Sequence, residues 1–153
     1  CALPILRNRA RLGITTIRRG DAAVGVIRTL RAGRVAGLIA DQDARGSGIF
    51  VDFLGTPAST ARGPALFALR AGAPVFLGSC VAVAGRPGVY RCEVEEVVCE
   101  RTGDVEADVR RLTAAHAEAL ARRVRRDPEH YFWQHRRWRT PPPQGEPGED
   151  PPV

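Results

Sequence analysis

The sequence has no lysine and no methionine; all 23 of its Lys-plus-Arg positions are arginine. Arginine alone, on a background of Ala, Gly and Val, is what a GC-rich genome produces. The formal charge of +6 therefore divides between two readings: a codon-biased solvated surface, and an anionic partner such as phospholipid head groups, phosphorylated sugars or nucleic acid. Long apolar runs are also missing. The nearest candidate, Ala65 to Ala84, is broken by Arg70, Gly72 and Pro74, so no stretch reaches the roughly 18–20 residues that span a bilayer. There is no Cys-x-x-Cys, no zinc-ligand spacing, no P-loop and no Gly-x-Gly-x-x-Gly. The four cysteines, Cys1, Cys80, Cys92 and Cys99, are expected to be reduced and structural, because Cys80 and Cys92 fall in apolar strand-like stretches where a thiol acts as a small hydrophobe. The chain opens Cys1-Ala2-Leu3-Pro4 with neither Met nor a signal-peptide pattern, and is expected to be a piece of a longer protein.

What is present alternates between helical and extended patterns. Asp21 caps a predicted helix ending at Gly33, with Val24, Ile27 and Leu30 at helical spacing. Arg34 to Ala40 is a short apolar run, predicted as a buried parallel strand, and Asp41 to Gly48 is a polar loop after it. Ile49 to Phe53 reads as a strand and Leu54 to Ser59 as a turn. Ser59 or Thr60 is predicted to cap a helix through Arg70. Pro74 to Val83 and Val89 to Val98 form the arms of a hairpin around Gly85-Arg86-Pro87-Gly88. Val105 to Arg126 is a long amphipathic helix stopped before Pro128. These elements predict an α/β fold with a mixed, largely parallel sheet flanked by helices. Residues 1–139 are expected to form one domain and residues 140–153 a disordered Pro, Gly and acidic tail.

Four places carry possible chemistry. Asp41 and Asp43, with Arg45 and Gly46, follow the end of the predicted strand, where open α/β sheets bind ligands; the same pair also fits a solvated turn, a cation site or an anchor for Arg. Thr60-Ala61-Arg62-Gly63 stands at a predicted helix start, which fits an ordinary cap with a solvated Arg or a site where free N–H groups favour an anion. Tyr131 to Trp138 interleaves aromatic and basic residues, suiting nucleic-acid stacking, a membrane interface or a final strand. In that strand Tyr131, Trp133, His135 and Arg137 share one face, opposite Phe132, Gln134, Arg136 and Trp138. Arg7, Arg9 and Arg11 fall on one side if that segment is extended and spread if it is helical; a solvated charge run is the default reading. Of the three histidines, His116, on the long helix, reads as a surface or half-buried residue.

Several of these stretches, in order, resemble the bacterial lipid A lauroyl/myristoyl acyltransferases of the lysophospholipid acyltransferase superfamily. They are Arg9-Ala10-Arg11-Leu12-Gly13, Leu30-Arg31-Ala32-Gly33, Ala40-Asp41-Gln42-Asp43, Phe50 to Ala58, Thr60-Ala61-Arg62-Gly63, Gly72-Ala73-Pro74-Val75 and Pro128 to Trp138. The resemblance covers about Arg7 to Pro142. It implies a glycerolipid acyltransferase-like fold whose N-terminal part is missing here. It also implies transfer of a fatty acyl chain from acyl carrier protein or acyl-CoA to a hydroxyl of a phosphorylated lipid A precursor or related glycolipid, with no cofactor, no metal and no nucleic acid. The setting it implies is the cytoplasmic face of the bacterial inner membrane, with an anchor in a segment absent here.

The family's catalytic His-x-x-x-x-Asp or Glu is not in this sequence. Five residues after His116, His130 and His135 stand Ala121, His135 and Thr140. The motif is expected upstream of Cys1, and the chain alone is expected to be inactive. The resemblance gives Arg9, Arg11, Asp41, Asp43, Thr60, Arg62 and Gly63 substrate-binding or supporting roles, and Trp133, His135, Arg136, Arg137 and Trp138 membrane or structural ones. Three rivals are a nucleic-acid-binding module, a metal-dependent phosphate-ester enzyme using Asp41 and Asp43, and a non-catalytic remnant that binds anionic lipid.

Overall fold

A computed structural model describes residues 3–143, and the chain divides into two compact units, Cys1–Ala36 and Gly37–Val153. Most of the expected tail, residues 144–153, lies outside the described residues, as does Cys1.

In the first unit, helix α1 spans Leu3–Arg11 and helix α2 spans Ala22–Arg31. Pro4 sits in the first turn of α1, where its missing N–H costs nothing. Gly13, at φ 72°, closes the helix as Ile14 N–H donates to Arg9 O at 2.8 Å. Arg7, Arg9 and Arg11 are therefore helical, so the one-sided arrangement of an extended segment does not arise. Gly33, at φ 68°, ends α2 the same way. The buried residue of α2 is Val26, while Val24 of the predicted stripe is 65% exposed. Gly25 lies against Ile17 so closely that an added Cβ would stand 2.7 Å from its side chain.

The second unit corrects the predicted sheet. Its strands form two separate two-stranded antiparallel sheets, so the fold is a small mixed α/β arrangement without a largely parallel sheet. The predicted strand over residues 34–40 is irregular: Leu38 and Ile39 are exposed and only Ala40 is buried. A parallel strand needs a ladder partner to satisfy its backbone, and among the described residues this segment has none.

Strands β1 (Ile49–Phe53) and β2 (Thr56–Thr60) pair through a two-residue turn, Leu54-Gly55, with φ of 59° and 86°. Two consecutive positive φ values suit the right-handed twist of a hairpin. The predicted turn over 54–59 is thus confined to two residues. Pro57 pairs with Asp52 inside β2, and Ser59 and Thr60 are buried strand residues, not helix caps. Helix α3 (Gly63–Ala71) begins later, with Arg62 at its N-cap and Pro64 in its first turn, and ends at Gly72 with φ 67°.

Strands β3 (Val75–Ala82) and β4 (Tyr90–Val97) form the expected hairpin. Their register sets Cys80 opposite Cys92, with Cα atoms 4.2 Å apart, and the two are joined as a disulfide. That corrects the expectation of four reduced thiols; Cys99 is free and half-buried.

Helix α4 (Val105–Arg126) packs on β1 and α3, closing a core of Ile49, Val51, Ala65, Ala68, Leu77, Val97, Val109 and Leu112. Glu93 and Glu95 of β4 pair with Arg122, Arg123 and Arg126 of α4, tying the second hairpin to the same helix.

The start of α4 is fixed twice. Asp104 caps it by accepting from Glu106 N and Ala107 N at 2.8 and 3.1 Å. Asp108, only 5% exposed, accepts from Thr102 N at 2.7 Å, Thr102 Oγ1 at 2.8 Å and Gly103 N at 3.2 Å. The Thr102 backbone N–H is the largest influence holding its carboxyl below the usual aspartate value; burial opposes this and is outweighed. A depressed folded pKa means stability that is present above the unfolded value and lost as pH falls through the folded one. Thermal melts across the acid range are expected to show Asp108→Asn flattening the acid-side loss of stability; identical acid slopes for the two proteins would remove Asp108 as its source.

Candidate functional site

Of the polar residues singled out by sequence, Asp41, Asp43, Thr60, His135 and Arg137 come together where the 41–45 loop meets β2, α4 and the segment after α4. That segment is not a strand. It opens with a 3-10 turn, Pro128–His130, and continues as successive turns to Thr140. Its aromatic rings explain the irregular path. Tyr131 and Trp138 both pack on the fully buried Phe53 of β1, with centroids 5.9 and 5.8 Å away. Two residues seven apart gripping one ring need a folded-back chain, not a two-sided ribbon.

The loop is stitched on both sides. Toward the C-terminal segment, Tyr131 OH donates to Asp41 O at 3.3 Å, Asp43 N–H donates to His135 Nε2 at 2.8 Å, and Thr140 Oγ1 donates to Asp43 Oδ2 at 2.9 Å. Toward β2, Ala44 N–H donates to Ser59 O at 3.1 Å, and Ser59 Oγ donates to Arg45 O at 2.5 Å. Arg45 sits at φ 58°, an uncommon place for a side chain that is not glycine.

Arg137 is the buried cation of the site, 1% exposed. Its Nη1 donates to Ser59 O at 2.7 Å and its Nη2 to Thr60 Oγ1 at 2.5 Å, while its guanidinium lies 5.1 Å from the centre of the Phe53 ring. Thr60 Oγ1 donates in turn to Ala58 O at 3.0 Å. Burial pulls the Arg137 pKa down, and Tyr131, Asp43 and Asp41 act through space to hold it up. His116 of α4 faces the same group: burial holds it below the usual histidine value, Arg137 adds to that, and Asp41 opposes it. Burial likewise raises the Tyr131 phenol.

The carboxylates are only partly used. Oδ1 of Asp41 and Oδ1 of Asp43 are buried and accept no hydrogen bond from the protein.

The other predicted residues are distributed as follows. Arg9 and Arg11 are exposed on α1 in the first unit. Thr60 is buried, with its hydroxyl engaged by Arg137 and Ala58. Arg62 pairs with Glu106 at 2.6 Å, and Gly63 opens α3 beside Phe67. Trp133 Nε1 donates to Pro128 O at 2.7 Å with the ring half exposed, and Arg136 is exposed. Sequence reasoning gave no site role to Ser59 or His116, and singled out Tyr131 only as part of the aromatic–basic block. The one available signal was the polar Ser59-Thr60 pair closing a β-prone stretch. Among the described residues no three metal-ligating side chains gather, and no helix is long and apolar enough to cross a membrane.

Compared with known proteins, no curated protein matches the chain. The family model for bacterial lipid A biosynthesis acyltransferases matches residues 4–140, which takes in both units, the Asp41–Asp43 loop and Arg137. The chain belongs to the bacterial lipid A biosynthesis acyltransferase family.

Proposed function

We propose that this chain supplies acceptor-binding elements of an enzyme that moves a fatty acyl chain from acyl carrier protein or acyl-CoA to a hydroxyl of a phosphorylated lipid A precursor or related glycolipid. The family match supports the acyl-transfer reading. The observation that carries the assignment to the acceptor side is the half-buried, incompletely hydrogen-bonded carboxylate pair Asp41 and Asp43, on a loop held by His135 and Thr140. A sugar hydroxyl is a donor suited to them.

In the reaction, the acceptor oxygen bonds to the thioester carbonyl carbon, its proton passes to a base, and the thiolate leaves from the resulting oxyanion. Asp41 and Asp43 would orient the acceptor sugar. Arg62 would border the acceptor or donor, with Thr60 and Gly63 supporting it. None of the chain's histidines has an acid five residues on, so the base of the family's reaction lies outside these residues and the chain by itself performs no transfer. The work would take place at the cytoplasmic face of the inner membrane, with exposed Trp133 and Arg136 toward lipid head groups.

The test is the lipid composition of cells in which the gene is disrupted. Mass spectrometry is expected to show a glycolipid short of one acyl chain, restored by a plasmid copy. An unchanged glycolipid profile would sink the proposal.

A further inference from the structure

A cation as deeply buried as Arg137 is an unusual component of a small domain. Apolar residues of similar volume commonly serve a core at least as well as a buried charge. Both hydrogen bonds of Arg137 go to β2, to Ser59 O and Thr60 Oγ1. Ser59 O is the same carbonyl that receives Ala44 N–H from the loop, and the Ser59 hydroxyl holds Arg45 O. The residue two positions before Arg137, His135, accepts Asp43 N–H. Arg137 therefore ties together the two surfaces between which the Asp41–Asp43 loop is held, without using the free carboxylate oxygens of that loop.

We propose that Arg137 is a positioning residue for acyl transfer: locked onto Ser59 and Thr60, it fixes the 41–45 loop so that the half-buried Asp41 carboxylate is held in place for the acceptor. The guanidinium never touches substrate. It acts by geometry, since two fixed hydrogen bonds and a stacked ring leave it one orientation, and by charge, as a cation beside two carboxylates. This role rests on the acyl-transfer reading given above.

The test uses the intact protein. Arg137→Lys keeps the charge but cannot bridge both β2 acceptors in the same fork. Acyl transfer to a lipid A precursor is measured for the unsubstituted protein, Arg137→Lys, Asp41→Asn and the double variant, with amide hydrogen exchange read at Asp43 and Ala44. Arg137→Lys is expected to lower kcat by about tenfold to a hundredfold, the scale of a misplaced reacting group, with the KM for the acyl donor unchanged. In the Asp41→Asn background the same substitution is expected to add little, because two residues that act through one another are not additive. Exchange at Asp43 and Ala44 is expected to quicken. Equal losses in both backgrounds, or unchanged exchange at the two amides, would overturn the proposal. Quickened exchange in a protein that, even unsubstituted, transfers no acyl chain would instead remove the acyl-transfer reading and leave the loop-fixing role of Arg137 standing. Should Arg137→Lys fail to fold, Thr60→Val removes one of the two β2 anchors and is read by the same criteria.

Discussion

Gly48→Ala is expected to destabilise the protein by about 1–3 kcal/mol, the cost of forcing a methyl group into filled space. The backbone at Gly48 is extended, φ −86° and ψ 169°, a conformation any residue adopts, so the penalty is purely one of room. A Cβ there would collide with Ser59 Oγ, lie 2.8 Å from Ala44 Cβ and 3.0 Å from Thr60 N. None of the three yields cheaply. Ser59 Oγ is bonded to Arg45 O, Ala44 is bonded through its N–H to Ser59 O, and Thr60 N belongs to the β2 backbone. The cost thus falls on the junction that Arg137 secures. Urea unfolding is the check: a lowered midpoint with an unchanged slope is the expected result, and an unshifted midpoint would mean that the close approach at Gly48 is not needed.

The junction also shows what the sequence could convey. The β3–β4 hairpin was legible because alternation runs through Tyr90, Cys92 and Val94 on one strand and the Gly85-Arg86-Pro87-Gly88 connection breaks it. Helix α4 was legible because its periodic pattern is long, running from Val105 to Arg126 before Pro128 stops it; its Asp104 cap was not read from the sequence. The 34–40 segment misled because Val35, Leu38 and Ile39 make an apolar run, yet an apolar run becomes a strand only where another strand offers it a ladder. The short β2 strand was hidden by Gly55 and Pro57, which read as a turn; in fact the turn takes only Leu54 and Gly55, and Pro57 is tolerated in a two-stranded sheet. The Cys80–Cys92 bond follows from register, which the chain's local pattern leaves open.

The site was legible in part. Asp41 and Asp43 stood out as paired acids in a loop, and that loop forms the centre of the polar cluster, although no strand leads into it. The cluster itself was not legible. Joining residues near 41, 59, 116 and 137 is a tertiary event, and the sequence spacing of Arg137 suggested a strand face shared with His135 and Trp133. In the folded chain Arg137 is buried while Trp133 is half exposed, because the segment turns back around Phe53.

The second large effect is on activity. Asp41→Asn keeps the shape of the side chain and leaves the Asp41 carbonyl free to accept from Tyr131 OH, so the fold is expected to survive. It removes a negative charge beside Arg137 and His116 and turns one possible acceptor oxygen into an amide. Losing a preorganised polar contact to the reacting group costs about a hundredfold in turnover, and a loss of that order is expected here.

The most direct measurement is transfer of a labelled acyl chain from acyl carrier protein or acyl-CoA to a phosphorylated lipid A precursor by the intact protein, followed by mass spectrometry of the glycolipid. The account predicts a product heavier by one acyl chain, about a hundredfold less of it per unit time with Asp41→Asn, and none from the 153-residue chain alone. A glycolipid that gains no acyl chain from the intact protein, or one acylated as fast by Asp41→Asn, would contradict it.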